Sequence, residues 1–342
     1  MGAEIIERIE MRFIDIAAEE RKAILDSLQL QTGLKSALIE KDWWVTAVLR
    51  SLFRLPYHEH ISFKGGTSLS KCWGVIERMS EDIDIGINRE FLGFEGKLSK
   101  TQISDRLRRA ACSFVREKLQ HDLHKQMIDD GIAAEHFNIH VNITPISTTD
   151  PEVIMVEYKP VADTVEYISP VVKIEVSGRS MTEPIAEVAI SSIIDAAVPN
   201  AIFAEPKFGV RAVLAKRTFL EKLFLLHEEY AKGEGLIRID RMSRHIYDVY
   251  KMLDTPIAAE ALSDTELYES VIEHRRTFIG LKGFDYSTLA KGSLNLIPPA
   301  SVYPAWKKDY ETMQQEMIYG DSVPFEQMIE ALRSFNKPIN GN

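Results

Sequence analysis

Apolar residues recur at helical spacing in the first part of the chain. Residues 10–30 place them three and four positions apart, which predicts an amphipathic helix. The same rhythm predicts a second helix over residues 36–53, with Trp44 and Val48 on its buried face. Pro56 follows at the point where a helix is expected to stop. This part of the chain is therefore expected to be helical.

After residue 60 the pattern changes to the alternation that is typical of strands. Residues 61–63 predict a short strand that ends at Gly65-Gly66, and Asp82–Ile87 alternates polar and apolar side chains. The segment 67–73 between them is predicted to be helical. The remaining predicted elements are a helix at 101–127, strands at 137–143, 153–158 and 171–176, and helices at 185–197, 211–232, 239–253, 303–317 and 324–335.

This order of elements predicts an α+β fold with two lobes. Strands concentrate before residue 180 and helices after it, and 342 residues are enough for two domains of ordinary size. Gly178 and Pro184 punctuate the chain where the two parts meet. We therefore expect an α+β lobe over residues 1–180 and a helical lobe over residues 181–342.

Composition narrows the class of protein further. Apolar residues at 45% and charged residues at 27% are ordinary globular values and exclude a disordered or fibrous chain. No apolar stretch is long enough to span a bilayer, and the N-terminal residues lack a signal-peptide pattern. Two cysteines 40 residues apart fit a reducing compartment rather than a disulfide scaffold. A cytoplasmic protein without a membrane partner is expected.

The net charge of −10 argues against indiscriminate coating of nucleic acid. Segment 205–252 is the exception, because ten Lys and Arg against seven Asp and Glu make it +3. A local basic face and a solvated helix surface both fit this contrast.

Two carboxylates in the strand Asp82–Ile87 are the first candidates for chemistry. Residues i and i+2 of a strand point to the same face, so Asp82 and Asp84 are expected about 6–7 Å apart. Ile83 and Ile85 point to the opposite face and anchor the strand in the core. Adjacent carboxylates repel unless a cation neutralises them, and their hard oxygen atoms suit Mg²⁺ or Mn²⁺.

A glycine turn precedes this strand and supplies the second candidate. Gly65, Gly66, Thr67 and Ser68 end one strand and begin a helix, where glycines allow a close approach to an anion. The free N–H groups and the Ser68 hydroxyl would then bind phosphate. A phosphate-binding turn followed 14 residues after Ser68 by a carboxylate pair indicates metal-assisted nucleotidyl transfer. The motifs of P-loop, dinucleotide-binding, zinc-protease and esterase proteins are absent.

A third carboxylate would complete a metal site. On strand 171–176, Lys173 and Glu175 share a face. If this strand neighbours the Asp82 strand, Glu175 can bind the metal ion or take the proton of an attacking hydroxyl. A surface Lys–Glu pair on an edge strand is the alternative.

Residues 63–70 together with 78–85 resemble the signature of the AbiEii/AbiGii toxin family, in the nucleotidyltransferase superfamily related to DNA polymerase β. The resemblance covers most of the chain and includes helix segments at 40–45, 217–223 and 244–250. His245 is a departure, because many relatives have Asp directly after the arginine. The resemblance implies a nucleotidyltransferase-type mixed sheet in the first lobe.

The resemblance also implies roles for three residues of the helical lobe. Lys222 would face the triphosphate across the cleft, and Arg244 and Asp248 would join the nucleotide site. Arg244 and Asp248 are four residues apart and can touch, although Arg before the acid is the weaker order for a local pair, which favours separate roles. Lys41 and Asp42 are equally well explained as cleft residues and as a pair on the helix surface. His227 and His245 are expected to have structural roles.

The function expected from these residues is transfer of a nucleoside monophosphate from an NTP, with Mg²⁺ or Mn²⁺ as cofactor and release of pyrophosphate. By resemblance the chain is a toxin of a bacterial toxin–antitoxin or phage-abortive system, with an antitoxin partner and an RNA acceptor, preferably a tRNA 3′ end. Two alternatives stay open. The acceptor could be a protein hydroxyl or a small molecule, or the lobe could bind nucleotide or RNA without catalysis.

Overall fold

The computed structural model describes residues 11–80, 82–142, 152–163, 168–233 and 235–339. Within these residues the fold is α+β, as predicted. Seven strands form one mixed sheet, and they are, in chain order, β1 (Ile61–Lys64), β2 (Asp82–Ile87), β3 (Phe137–Asn142), β4 (Glu152–Tyr158), β5 (Val171–Ser177), β6 (Ile185–Ile190) and β7 (Phe208–Val213).

Twelve α-helices lie in the described part of the chain. They are α1 (Ala18–Thr32), α2 (Ser36–Leu52), α3 (Gly65–Lys71), α4 (Arg108–Phe114), α5 (Gln120–Asp129), α6 (Ile193–Ala197), α7 (Ala215–Tyr230), α8 (Ser243–Leu253), α9 (Pro256–Ser263), α10 (Thr265–His274), α11 (Tyr303–Glu316) and α12 (Phe325–Ile339). None of these described helices has the length and apolar character that crossing a membrane requires.

The sheet brings the candidate strands to its centre. Its order is β3-β4-β5-β2-β1-β7-β6, so that β2 lies between β5 and β1. The β2 and β5 strands run parallel, and β1 runs antiparallel to β2 and parallel to β7. Apolar residues of the central strands, such as Ile83, Ile85 and Ile174, are buried against α2 and α5. The opposite face of the same strands is left for polar residues.

Most predicted elements are confirmed, but two of the predicted helices include residues that form strands. The predicted helix at 185–197 is wrong over residues 185–190, which form β6, and the helix predicted to begin at 211 begins at Ala215 after β7. The apolar residues of 185–197 fit helical spacing, but pairing with β7 outweighs that pattern. The helix predicted at 101–127 is one unbroken helical segment that contains two π-helical stretches. Residue 10 of the helix predicted at 10–30 and residue 143 of the strand predicted at 137–143 lie outside the described residues.

Two separate hydrophobic cores fit the expectation of two lobes. One contains the sheet with α1, α2 and α5, and the other contains α7 to α12 together with Leu69 and Ile76. The sheet itself extends past residue 180 through β6 and β7. The division at residue 180 stays a prediction.

Candidate active site

A cavity of about 290 Å³ lies between the polar face of the central strands and the helices α7, α8 and α10. Seven of the residues singled out by the sequence line it. They are Gly65, Gly66, Asp82, Asp84, Glu175, Lys222 and Arg244. We call the strand side of this cavity the sheet wall, which consists of Asp82, Asp84 and Glu175. We call the opposite side the helical wall, which consists of Lys222 and Arg244 at the cavity and Asp248 behind them.

Strand pairing builds the sheet wall. In the parallel register of β2 and β5, Asp84 pairs with Glu175 and Asp82 pairs with Lys173. Paired residues of neighbouring strands point to the same face, so the three carboxylates share one surface. Ile83 and Ile174, which lie between them along the strands, are fully buried on the other face. The prediction that the Glu175 strand neighbours the Asp82 strand is therefore confirmed.

The glycine turn lies directly against this wall. Gly65 has a φ of +78°, and a Cβ added there would come within 1.9 Å of Asp84 Oδ2. A Cβ on Gly66 would come within 2.8 Å of Ser80 Oγ and 2.9 Å of Arg78 Nη2. Both positions therefore require glycine, the first for its backbone conformation and both for close contact.

Thr67 and Ser68 are buried behind the turn rather than in the cavity wall. The Thr67 hydroxyl donates to the backbone carbonyl of Asp82 and lies 3.0 Å from Ser80 Oγ. It thereby fixes the start of α3 to the start of β2. Direct nucleotide contact by Thr67 or Ser68 stays a prediction.

The electrostatics of the sheet wall favour a cation. Burial raises the pKa of Glu175, the carboxylates of Asp84 and Asp82 raise it further, and Lys64 and Arg244 oppose this shift. A cation placed beside these carboxylates would therefore favour the charged form of Glu175.

The residues fit a hard divalent ion in their chemistry. Carboxylate oxygens are the ligands that Mg²⁺ and Mn²⁺ prefer, and the missing Cβ of Gly65 lets the Asp84 carboxylate lie directly against the turn. Within the described ranges no three His, Cys, Asp or Glu side chains already lie close enough to enclose a metal ion. The metal roles of Asp82, Asp84 and Glu175 therefore stay predictions.

A buried charge network supports the helical wall. Asp248 is 0% exposed and accepts hydrogen bonds from Arg78 at Nε and Nη2, both at 2.7 Å. Lys222 Nζ lies 2.8 Å from Asp248 Oδ2. Burial alone would raise the pKa of Asp248, but Arg78 and Lys222 hold it well below its usual range. Asp248 thus holds two cations at the wall and lies behind it.

Arg244 and His245 complete this side. Arg244 lines the cavity and is not the partner of Asp248, which agrees with separate roles for the two residues. His245 also lines the cavity, and its Nδ1 lies 3.4 Å from Lys222 Nζ. Burial, then Lys222 and Arg244, lower the pKa of His245 well below its ordinary value, so the ring is neutral and accepts at Nδ1.

Two further sequence interpretations are settled by contacts. Lys41 and Asp42 do not line this cavity, although Asp42 lines a second cavity of about 220 Å³ together with Lys71. They are not a surface pair either, because Lys41 donates to the Ser169 carbonyl at 2.8 Å and Asp42 pairs with Lys71 at 2.7 Å. Both are buried. His227 accepts the Asn295 amide at Nδ1 and lies 3.0 Å from Thr288 Oγ1, which confirms a structural role.

Sequence reasoning missed several residues that line the cavity: Lys64, Arg78, Glu221 and His274. Arg78 stands inside the recognised signature, and Glu221 stands next to Lys222, so proximity to known candidates could have drawn attention to both. His274 carries no such signal, because only the fold brings the end of α10 to this site.

Comparison with known proteins places the chain in a class. The family model of the AbiEii nucleotidyl transferase toxins, of type IV toxin–antitoxin systems, matches residues 47–331. This span includes the glycine turn, both walls of the cavity and the helices α3 to α11. No curated protein matches the chain.

Solved structures show weaker similarity. MenT4, a nucleotidyltransferase toxin from Mycobacterium tuberculosis, is 15% identical with a TM-score of 0.44, over 94% of this chain and 98% of that one. JHP933 from Helicobacter pylori is 14% identical with a TM-score of 0.36, over 82% and 97%. The assignment rests on the family model alone.

The protein is accordingly a nucleotidyltransferase. The chain belongs to the AbiEii toxin family of type IV toxin–antitoxin systems. Membership implies an NTP substrate and a cognate antitoxin, and nucleotidyltransferases in general work with a divalent metal ion.

Proposed function

We propose that this protein transfers a nucleoside monophosphate from an NTP to an RNA acceptor, preferably a tRNA 3′ end, with Mg²⁺ or Mn²⁺ as cofactor, and that this modification makes it a toxin. The observation that carries the proposal is the register of β2 and β5. It places three carboxylates on one wall of the cavity, next to the glycine turn and opposite Lys222 and Arg244.

The sheet wall is the proposed metal side. Asp82 and Asp84 would hold the ion, with Glu175 as a third ligand or as the base that takes the acceptor's proton. A bound divalent ion would polarise the α-phosphate and neutralise charge on the leaving group. In the transfer, an acceptor hydroxyl oxygen bonds to the α-phosphorus, the bond to the β-phosphate oxygen breaks, and pyrophosphate leaves.

The helical wall is the proposed phosphate side. Lys222 and Arg244 would stabilise charge on the triphosphate, and Gly65 and Gly66 would let the backbone approach it. Asp248 would act indirectly, because its ion pairs fix the positions of Lys222 and Arg78. Fixed cations aimed at a transferring phosphate need no rearrangement during the reaction.

An RNA acceptor is supported by cations beside the sheet wall. Lys64 and Lys173 form no salt bridge with any residue that the structure describes, so their charge can act on a polyanion, although Lys64 also acts on Glu175. The basic segment 205–252 gives less support than its composition suggests. Arg238 and Lys232 are both bound to Glu229, and Lys216 is bound to Asp264.

Incubation of the protein with each α-labelled NTP, Mg²⁺ and separate pools of tRNA, protein and small hydroxyl compounds tests the proposal. Label should enter the tRNA pool, and Asp84→Ala should abolish it. Label found only in the protein or small-molecule pool would overturn the RNA acceptor, and no transfer to any pool would overturn the reaction.

Expression in a bacterial host tests the link to toxicity. The wild-type chain alone should slow growth, and the Asp82→Ala chain at the same level should not. Equal toxicity of both chains would show that the growth defect does not come from transfer.

A further inference from the structure

Helix α7 divides the helical side of the cavity into two halves. Thr218, Glu221, Lys222 and Leu225 all line the cavity, which is the i, i+3, i+4, i+7 pattern of one helix face. Adjacent residues of a helix differ by about 100° in direction, so Glu221 and Lys222 diverge to opposite edges of this face. Lys222 turns toward α8, where Asp248 and His245 contact it.

The half on the α8 side is cationic and suits a triphosphate. The half on the α10 side has a different character. It is lined by Glu221, by Leu225 and by Ile279, a large apolar side chain that is 42% exposed. Arg179 and His274 line it as well, with His274 Nε2 at 2.8 Å from the Arg179 carbonyl. Arg275, which also lies there, is already bound to Glu228, with Nε and Oε1 at 2.7 Å.

Glu221 presents an ionised carboxylate to this half. Arg217 Nη2 donates to Glu221 Oε1 at 2.7 Å, and the Glu221 side chain stays 25% exposed. No other described residue donates a hydrogen bond to it. Burial would raise the pKa of Glu221, but Arg217, Lys64, His274 and Arg275 lower it to about 2. The group is therefore a hydrogen-bond acceptor only.

A carboxylate accepts hydrogen bonds but cannot donate them to phosphate oxygens, so Glu221 suits the donor groups of a nucleobase rather than the triphosphate. We propose that the α10 side of the cavity binds the nucleobase and that Glu221 selects bases with an exocyclic amino group. This inference rests on the proposed function, since it assigns the second half of the same nucleotide cavity.

The chemistry of the four bases gives the expected selectivity. Adenine, guanine and cytosine each carry an amino group that can donate to a carboxylate. Uracil carries only one ring N–H, between two carbonyl oxygens that would face the negative charge. A hydrogen bond to a charged group distinguishes ligands by about 10–100-fold in affinity. Leu225 and Ile279 would contact the face of any base and do not discriminate.

Binding of the four α,β-methylene NTP analogues to the full chain in the presence of Mg²⁺ tests this inference by titration calorimetry. The Kd of each analogue is divided by the Kd of inorganic tripolyphosphate for the same protein. Tripolyphosphate has no base, so its Kd reports general changes in anion affinity. In the wild type the best-bound analogue should carry an amino group, and the uridine analogue should bind about 10–100-fold more weakly than it.

In Glu221→Gln, the ratio between the Kd of the uridine analogue and that of the best-bound analogue should fall to about threefold or less. The glutamine amide can donate to a uracil carbonyl, while the side-chain oxygen still accepts from Arg217. Glu273→Gln is the matched control, since Glu273 lies on α10 and is paired with exposed Arg276. It should leave the ratio unchanged. Each ratio is internal to one protein, so a lower melting temperature of the variant does not affect it.

Three outcomes would overturn the inference while leaving nucleotide binding intact. They are tight binding of the uridine analogue by the wild type, an unchanged ratio in Glu221→Gln, and an equal change in Glu273→Gln. Absence of any NTP binding to the wild type would instead overturn the nucleotide cavity and the proposed function with it.

Discussion

The two walls of the cavity treat their charges in opposite ways. On the helical wall, the buried Asp248 carboxylate pairs with both Arg78 and Lys222, so each buried charge has a partner within the protein while the wall keeps a net positive charge. On the sheet wall, Asp82, Asp84 and Glu175 share one face, and the charges acting on Glu175 include both neighbouring carboxylates. The first arrangement is complete in the protein alone. In the second, the Glu175 carboxyl is held above its usual pKa by burial and by its two neighbours, so a cation from outside would favour its charged form.

This contrast predicts different consequences for substitutions on the two walls. A carboxylate removed from the sheet wall relieves repulsion and costs function. A carboxylate removed from the helical wall leaves buried cations unpaired and costs stability. The predictions below test this difference, from the largest expected effect to the smallest.

Asp84→Ala should lower the transfer rate by about 10³-fold or more, because the loss of a metal ligand removes several kcal/mol of transition-state stabilisation. Its melting temperature without divalent metal should equal or exceed that of the wild type, since one repelling charge is gone. Transfer assays and thermal melts in a chelating buffer measure both. A variant that keeps substantial transfer would contradict the metal assignment.

Lys222→Met should lower kcat by about 10²–10³-fold with a smaller change in KM for the NTP, because a cation on the transferring phosphate acts mainly in the transition state. Methionine keeps the apolar stem that packs in α7. Steady-state kinetics at saturating acceptor measure the effect. An increase in KM alone would show that Lys222 only binds the ground state.

Asp248→Asn should destabilise the fold by about 3–5 kcal/mol, since Arg78 and Lys222 would stay buried without their counter-charge. Denaturant unfolding in the absence of metal measures the loss, with Asp84→Asn as the matched control on the other wall. If both variants unfold at the same denaturant concentration, the proposed contrast between the walls does not exist.

The same network predicts a pH dependence. The pKa of Asp248 is lower in the folded protein than in the unfolded chain, so its contribution to stability is present above the unfolded value of about 3.9. That contribution is lost as the pH falls below this value. The stability difference between wild type and Asp248→Asn should therefore shrink between about pH 4 and pH 2. A constant difference over this range would mean that the charge of Asp248 is not what stabilises the network.

Lys173→Ala should have the smallest effect. We expect a higher KM for RNA and a salt dependence of log KM that is weaker by about one phosphate contact, because its charge would act on a polyanion from beside the site. Lys125→Ala, which removes an exposed lysine paired with Asp129 on α5, is the control. Identical salt dependence in all three proteins would remove Lys173 from the RNA-binding surface.

Local sequence predicted the parts of the site that one segment determines. The alternation in Asp82–Ile87 placed both aspartates on one face, and the glycines before it marked a turn, which Gly65 forms with a positive φ. The neighbouring position of Glu175 was a conditional prediction, because no local pattern states which strands pair. The register of β2 and β5 decided it.

The errors arose where tertiary contacts overrule local preference. Residues 185–190 have helix-like apolar spacing but become an edge strand because β7 pairs with them. The direct contact between Arg78 and Asp248 joins residues 170 positions apart, so no local pattern could reveal it. The role of Asp248 behind the wall, rather than in the cavity, follows from that contact.

The most direct test of the account is the effect of Mg²⁺ on thermal stability. A ligand that binds only the folded state raises the melting temperature with its concentration. We predict that Mg²⁺ raises the melting temperature of the wild type and of Lys222→Met, and leaves that of Asp84→Asn unchanged. An equal shift in all three proteins, or none in the wild type, would contradict the assignment of the sheet wall as the metal site.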